Sequence, residues 1–306
     1  MNIAVDIATR QIAWDGILLD IPAEWDMGGY KFLKHGITRI EVEDDFSVRL
    51  EVEWIRPTNR LPMKQLVARY EKASRKLTLQ SDDEQAVYGL PEGWSATLHL
   101  FRDDAFVGES ADGICKRMVT AFYVCPRSSI FVFVLLHVGS EDHEDPQELI
   151  ARIAEGFVQQ EGESRRWQLF DIGFELPRAF ELESTLFDVG SKMMTFRWEQ
   201  RRLLLWHFSC ADRILADHPR LEEWATGYIN GFSGLKGPVF EPGRDGVINW
   251  KRRKRYPIGH REELARGCTQ YRVRCRHDRE KNQLVVWVYQ YRKGEDLAML
   301  PEWLAS

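Results

Sequence analysis

Two short segments of this 306-residue chain share one pattern of apolar and polar positions, 155 residues apart. In residues 16–25 (GILLDIPAEW) and 171–180 (DIGFELPRAF), apolar residues alternate until a proline, Pro22 or Pro177, ends the run. The matched apolar positions are Ile17 with Ile172, Leu19 with Phe174, and Ile21 with Leu176. Alternation has the period of a β-strand, and proline ends a strand because its nitrogen has no hydrogen to donate. The chain is therefore predicted to be a tandem duplication in which each half opens with a strand.

Residues 38–54 predict a β-hairpin that turns at Asp44-Asp45. Its apolar face comprises Ile40, Val42, Phe46, Val48, Leu50, Val52 and Trp54. Its polar face comprises Arg39, Glu41, Glu43, Arg49, Glu51 and Glu53. This alternation indicates an antiparallel sheet with one face in water, and cross-strand ion pairs explain the acids better than a pair of catalytic carboxylates does. In the counterpart, residues 192–210, both faces are apolar, so this second hairpin is predicted to be covered on both sides.

A helix and three further strands follow the hairpin in each half. The apolar stripes of the two helices are Leu66, Tyr70, Ala73 and Leu77, and Leu221, Trp224, Tyr228 and Phe232. The predicted strands are 94–101, 117–125 and 130–137, then 247–256, 270–277 and 284–291. A closing helix begins at Asp145-Pro146 with a capping pattern, and its counterpart in the second half is expected to be at most a stub.

The predicted fold class is α+β, with two tandem domains that are each a twisted antiparallel β-sheet flanked by helices. The first domain covers residues 1–160, and the second covers residues 161–306 with a truncated last helix. The polar stretch 158–166 (VQQEGESRR) shows no periodicity and is predicted to link them.

This order of elements, opened by a strand of the form x-I-x-L-x-L-P-x-x-W, resembles the PsbP-like fold, also called Mog-one/PsbP-like. Ile17, Leu19, Ile21, Pro22 and Trp25 fit the opening once, and Ile172, Phe174, Leu176, Pro177 and Phe180 fit it again. The resemblance is to a fold superfamily whose members mostly bind other proteins and are not enzymes. It implies a protein-binding role and assigns no functional residue to this chain.

Charge is divided unevenly between the two halves. Residues 1–160 hold 17 Lys and Arg against 26 Asp and Glu, a net charge of −9, whereas residues 161–306 hold 25 against 21, a net charge of +4. The basic second half is expected either to dock on the acidic first half or to meet an anionic partner.

Location is predicted from the termini and the cysteines. The N-terminus lacks a secretory pattern, and the longest apolar run is far shorter than the ~20 residues that a membrane helix needs. Five cysteines, an odd number, suit reduced thiols, so a cytoplasmic location without membrane association is predicted.

Two basic clusters in the second half are the candidate partner-binding residues. In the run Lys251, Arg252, Arg253, Lys254 and Arg255, a strand is predicted to place Lys251, Arg253 and Arg255 on one face. In the next strand, Arg272, Arg274 and Arg276 share a face opposite Tyr271, Val273 and Cys275. Rows of arginine about 7 Å apart suit an anionic partner, and the alternative is a solvated sheet surface whose long side chains cover apolar residues.

No catalytic or cofactor motif is present, so no cofactor and no enzyme activity are predicted. Cys268, Cys275 and His277 lack the close pair that a structural zinc site requires, and a cysteine nucleophile paired with His99 or His137 is the weakest hypothesis. The preferred function is a non-enzymatic protein-binding module, such as an adaptor, chaperone or scaffold, whose partner has an acidic surface. The alternative is an accessory protein that binds nucleic acid through the basic face, and the third is a thiol-dependent or hydrolytic enzyme.

Overall fold

The computed structural model describes residues 8–33, 36–57, 62–102, 114–125, 130–140, 142, 144–169, 172–218 and 220–305. The chain divides into two compact units. The first comprises Met1–Gln160 and Gln168–Phe170, and the second comprises Glu161–Trp167 and Asp171–Ser306.

Strands dominate the described part of the first unit. They are β1 (Thr9–Trp14), β2 (Ile17–Pro22), β3 (Asp26–Phe32), β4 (Thr38–Glu43), β5 (Val48–Ile55), β6 (Asp83–Val87), β7 (Trp94–Arg102), β8 (Ile114–Cys125), β9 (Ile130–Gly139) and β10 (Val158–Gln159). The helices are α1 (Met63–Thr78) and α2 (Pro146–Glu155). Among the described residues, seven strands form one antiparallel sheet in the order β3-β4-β5-β9-β8-β7-β6.

The two faces of this first sheet are covered by different elements. On one face, Leu66 and Tyr70 of α1 pack with Phe131 of β9. On the other, α2 packs against β8 and also against β2 of the β1–β2 hairpin. The helix α2 begins after Asp145, whose carboxylate accepts a hydrogen bond from the backbone N–H of Gln147, as the capping pattern predicts. Layers on both faces explain why so many strand residues of this unit are buried.

The second unit repeats the same kinds of element. Its strands are β11 (Ser164–Leu169), β12 (Ile172–Pro177), β13 (Glu181–Asp188), β14 (Ser191–Trp198), β15 (Arg201–Ser209), β16 (Pro238–Pro242), β17 (Val247–Arg252), β18 (Gln270–Asp278) and β19 (Gln283–Tyr291). Its helices are α3 (Ala211–Leu215), α4 (Leu221–Gly231), α5 (Arg261–Arg266) and α6 (Glu302–Ala305), with a 3-10 helix at Gly294–Met299. The seven-stranded sheet runs β13-β14-β15-β19-β18-β17-β16 within the described part of the chain.

The two seven-stranded sheets have the same strand order, with β3 to β9 of the first sheet corresponding to β13 to β19 of the second. Its hairpin β14–β15 is covered on both sides, as the sequence predicted: Leu203 and Leu205 of one face and Leu204 and Trp206 of the other are each at most 1% exposed. The fold is α+β and dominated by antiparallel sheet, which agrees with the predicted class.

Two predictions about the first hairpin are wrong. Phe46 was placed on the buried face but is 94% exposed, because it lies in the turn between β4 and β5, where the Asp44 carboxylate accepts from the backbone N–H groups of Phe46 and Ser47. Arg49 was placed in water but is buried, since its guanidinium pairs with Asp142 at 2.8 Å and with Glu144 at 3.1 Å. A shift of register in β4–β5 next to the turn breaks the regular alternation there.

Two predicted element boundaries are also wrong. The strand predicted to run to residue 256 ends at Arg252, and a turn follows in which the Tyr256 N–H donates to the Arg253 carbonyl at 2.8 Å. The stretch 158–166, predicted to lack regular structure, contributes β10 and the first residues of β11. The closing helix of the second half is short, as expected, with four residues in α6.

Candidate partner-binding surface

The strand β18 separates its side chains between two faces of the second sheet. Tyr271, Val273 and Cys275 are buried in the core that α4 covers. The intervening Arg272, Arg274 and Arg276 therefore project from the opposite face, as the alternation predicted. We call these three residues the arginine face of β18.

The arginine face lies beside an apolar row of the neighbouring strand. In the register of β18 with β19, Arg272 is opposite Tyr289, Arg274 is opposite Trp287 and Arg276 is opposite Val285. Tyr289 and Trp287 are buried, whereas Arg272 and Arg274 are half-buried and Arg276 is exposed. The aliphatic stems of the arginines thus lie over apolar side chains while the charged ends remain accessible.

Several other cations near this sheet have a carboxylate partner. Ion pairs join Arg201 to Asp296 at 2.7 Å, Arg202 to Glu183 at 3.2 Å and Arg252 to Glu263 at 2.5 Å. By contrast, Arg274 and Arg276 form no ion pair with any residue that the structure describes. Their positive charge is left for solvent or for a partner.

A cleft opens at the Arg272 end of the arginine face. Within the described residues, β17 pairs with β18 at Val247 and Ile248 alone and then separates from it. The resulting cleft has a volume of about 440 Å³, and Trp250, Tyr291 and Leu297 line it together with Arg272 and Arg274. Apolar and aromatic surface is therefore available next to two guanidinium groups.

A second, smaller cavity lies at the Arg276 end. It has a volume of about 270 Å³, with Phe174, Leu205 and Val285 among its apolar lining residues. Arg276, Asp278 and Lys281 contribute charged groups to the same lining. The arginine face is thus flanked at each end by a concave site whose lining includes apolar side chains.

The run 251–255 does not form the two strand faces that were predicted. Lys251 pairs with Glu241 across β16 and β17, and Arg252 points into the unit, where it binds Glu263 and the Thr269 carbonyl. The remaining three residues follow the end of the strand: Arg253 contacts the Pro238 carbonyl at 3.5 Å, Lys254 is exposed, and Arg255 lies 5.8 Å from the Tyr256 ring. Because the strand ends at Arg252, these five cations do not lie on two regular faces.

Sequence reasoning missed the buried carboxylate that Arg252 binds. Glu263 is 2% exposed and accepts hydrogen bonds from Arg252, from the Tyr271 hydroxyl at 2.6 Å and from the His260 backbone N–H. Burial raises the pKa of Tyr271, and the hydrogen bond to Glu263 raises it further. A histidine three residues before a glutamate at a helix start is a capping pattern that could have identified Glu263.

In the first unit, the acids of the predicted hairpin form the expected ion pairs. Arg39 bridges Glu41 at 3.0 Å and Glu53 at 3.4 Å, and it also pairs with Glu51. The sequence did not predict that Tyr70 of α1 donates its hydroxyl to Glu53. This face of the hairpin, predicted to lie in water, is therefore partly covered by α1.

A histidine completes the same network. The His137 ring lies 3.0 Å from a Glu51 oxygen, and this hydrogen bond holds the pKa of Glu51 below its ordinary value despite partial burial. Glu51 is thus held as a charged, paired carboxylate.

The residues proposed for thiol chemistry have other partners. His99 contacts the Thr120 hydroxyl at 3.0 Å, and His137 contacts Glu51. Cys268 and Cys275 are buried, and burial raises the pKa of Cys275 to about 12, whereas Cys210 is exposed.

Over the described ranges, no cluster of three or more His, Cys, Asp or Glu residues is placed to hold a metal ion. None of the helices described here is long and apolar enough to span a bilayer.

No protein-family model matches the sequence, and no curated protein matches it. The solution structure of cyanobacterial PsbP (CyanoP) from Synechocystis sp. PCC 6803 is similar over 52% of this chain and 96% of its own, at 12% identity and a TM-score of 0.31. A crystal structure from Bacteroides thetaiotaomicron VPI-5482 is similar over 72% of this chain and 60% of its own, at 7% identity and a TM-score of 0.26. The complex structure of Pseudomonas aeruginosa MucA/MucB is similar over 95% of this chain and 89% of the matched chain, at 11% identity and a TM-score of 0.17. The first of these structures carries the PsbP name of the superfamily that the sequence resembles, and all three TM-scores lie below 0.5.

Proposed function

We propose that this protein is a non-enzymatic protein-interaction module that binds an acidic surface of another protein through the arginine face of β18. The observation that carries the proposal is the contrast among cations of the second unit: Arg201, Arg202 and Arg252 are neutralised, whereas Arg274 and Arg276 have no described ion-pair partner.

The chemistry of arginine favours this kind of partner. A guanidinium binds a carboxylate through two parallel hydrogen bonds, and two guanidinium groups about 7 Å apart offer a pair of such contacts. A surface of one sign of charge also accelerates association with a partner of the opposite sign, in a manner that salt weakens. The apolar side chains in the two flanking clefts add area that a protein partner can bury.

The location that suits this role is the cytoplasm. Cys210 is an exposed free thiol, and a reducing compartment keeps such thiols from forming disulfides.

The proposal is tested by charge reversal in the full chain. The partner is first captured from the native host and purified, and its affinity is then measured for the wild type and for Arg274→Glu/Arg276→Glu. The control is Lys254→Glu/Arg261→Glu, which changes the net charge equally at two exposed positions outside the arginine face. We expect the first variant to weaken binding by at least about tenfold, equivalent to ~1.4 kcal/mol, and the control to change it little.

Other results would contradict the proposal. Equal loss of affinity in both variants would show a general charge effect, and unchanged affinity in the first variant would place the interface elsewhere. Capture of RNA instead of protein, with affinity falling steeply as salt rises, would support the nucleic-acid alternative.

A further inference from the structure

The counterpart of β18 in the first unit has a covering helix. The strand β8 occupies the same place in the strand order, between β9 and β7, as β18 does between β19 and β17. On β8, Val119 and Ala121 are 0% exposed, and the Tyr123 ring lies 5.1 Å from the ring of Phe157, which follows α2. The opposite face of β8 carries Thr120, whose hydroxyl meets Ser74 of α1 at 3.0 Å. The helix α2 therefore packs on the face that Val119, Ala121 and Tyr123 share.

The corresponding face of β18 in the second unit differs in its side chains and in the element that packs near it. Since α4 packs on Tyr271, Val273 and Cys275 as α1 packs on its own face of the first sheet, the arginine face corresponds to the face of β8 that α2 covers. After β19, the 3-10 helix packs on β19 itself, and Leu300 and Leu304 are buried. On β18, three arginines occupy the face that on β8 carries Val119, Ala121 and Tyr123 and packs against α2. Arg276 is exposed.

We infer that the partner element recognised by the arginine face is an amphipathic α-helix that carries carboxylates along one edge and takes the place on β18 that α2 takes on β8. This inference rests on the proposed function and specifies the conformation and side-chain pattern of the bound segment. In the first unit, Leu149, Ile150 and Ile153 of the covering helix are buried, and the helix packs against β7, β8 and β9. Because the strand residues are arginines in the second unit, the complementary helix supplies carboxylates at matching positions.

The dimensions of a helix suit the arginine face. Helix positions i and i+4 lie about 6 Å apart along the axis, close to the ~7 Å between alternate side chains of a strand. The ten residues of α2 correspond to a length of about 15 Å, similar to the ~13 Å between the Cα atoms of Arg272 and Arg276. A helix of α2's length can therefore reach all three guanidinium groups.

The two cavities at the ends of the arginine face define the rest of the pattern. Trp250, Tyr291 and Leu297 at one end and Phe174, Leu205 and Val285 at the other offer sites for bulky apolar side chains. The expected sequence of the partner thus has acids at helical spacing, with large apolar residues about one turn beyond them on the same face.

The inference is tested with a peptide library displayed on yeast and selected on the full chain, with depletion on Arg274→Glu/Arg276→Glu. We expect enriched peptides to carry acids at i, i+4 and i+7 together with apolar residues on the same helical face. A purified enriched peptide, measured by fluorescence anisotropy, should bind the wild type at least about tenfold more tightly than the charge-reversed variant. The same peptide with two central prolines, which keep its charge but break the helix, should lose that difference.

The outcomes separate this inference from the proposed function. Enriched acids that alternate along an extended strand, acids without any period, or a proline-containing peptide that binds equally well would each overturn the helix. The native protein partner would in those cases still depend on Arg274 and Arg276. Loss of that dependence would overturn both. If light scattering shows a dimer of the full chain that Arg274→Glu/Arg276→Glu converts to a monomer, the occupant is a second copy and the inference is wrong.

Discussion

Arg252 places a guanidinium nitrogen 2.5 Å from a carboxylate oxygen of Glu263, a residue that is only 2% exposed. The same guanidinium also donates to the carbonyl of Thr269, just before β18 begins. Arg252, one of the five cations at residues 251–255, therefore connects the end of β17 to α5 and to the start of β18. Its role is structural, in contrast to the partner-binding role that we propose for Arg274 and Arg276.

Removing the Arg252 side chain is expected to destabilise the second unit. Arg252→Ala leaves the buried Glu263 carboxylate without its cationic partner, and the loss of one member of a buried pair costs about 3 kcal/mol. Lys251→Ala is the matched control, since Lys251 and its partner Glu241 both lie at the surface, and the change should stay within about 1 kcal/mol. Chemical denaturation of the full chain measures both, and equal effects would contradict this prediction.

Charge reversal on the arginine face is expected to leave the fold intact. Arg274 and Arg276 form no ion pair with any described residue. The variant Arg274→Glu/Arg276→Glu therefore breaks no ion pair and should change the free energy of unfolding by about 1 kcal/mol or less. Thermal unfolding followed by circular dichroism provides the measurement. A large loss of stability would show that the arginines hold the protein together and do not serve a partner.

Tyr70 is expected to contribute to the stability of the first unit through its hydroxyl. That group donates to Glu53, and burial raises the pKa of Tyr70, so the donor stays protonated at neutral pH. Tyr70→Phe removes a hydrogen bond to a charged group and should cost about 1.5 kcal/mol. Tyr88→Phe, at a site 84% exposed, is the control and should have no measurable effect in urea denaturation.

The stability of the protein is expected to fall below about pH 6.5 because of His99. Burial lowers the pKa of His99 from 6.5, and its Nδ1 is enclosed without a hydrogen-bond partner among the described residues. The unfolded chain therefore takes up the proton at higher pH than the folded one, so the free energy of unfolding decreases as pH falls, by up to about 1.4 kcal/mol per pH unit.

Denaturation at pH 7.5 (~1 unit above the ordinary histidine value) and at lower pH tests this dependence. In His99→Gln, the free energy of unfolding should depend less steeply on pH between about pH 6.5 and 5, whatever the absolute stability of the variant. His218→Gln, at an exposed position, should leave the slope as it is in the wild type. An unchanged slope in His99→Gln would assign the pH dependence to other groups.

The cysteines are expected to differ in reactivity. Burial raises the pKa of Cys275 to about 12 and also raises that of Cys268, whereas Cys210 is exposed. Since the thiolate is the reactive form, iodoacetamide at neutral pH should modify Cys210 first and reach the two buried thiols only after denaturant is added. Peptide mass spectrometry measures the three rates. Rapid modification of Cys275 in the folded protein would revive the hypothesis of a thiol-dependent enzyme.

Local patterns in the sequence predicted those features that depend on neighbouring residues alone. Alternation along residues 270–278 separated Tyr271, Val273 and Cys275 from the arginines, because successive side chains of any regular strand point to opposite faces. The repeated x-I-x-L-x-L-P pattern located β2 and β12 in the same way. Regular strands can be predicted from the sequence because the side-chain direction alternates from each residue to the next along the backbone.

Tertiary contacts decided where that regularity stops and which charges are neutralised. The turn after β4 exposed Phe46. Because β17 ends at Arg252, the five cations predicted to lie on one strand instead form an internal ion pair, a surface ion pair and a loop. The partners of these residues lie on distant segments, as Glu263 does for Arg252, so no local pattern specifies them. For the same reason the sequence could place arginines on β18, but only the folded chain shows that α2 covers the corresponding face of β8 while Arg276 is left exposed. Periodicity orients a side chain, whereas its neutralisation or burial depends on what the rest of the chain packs against it.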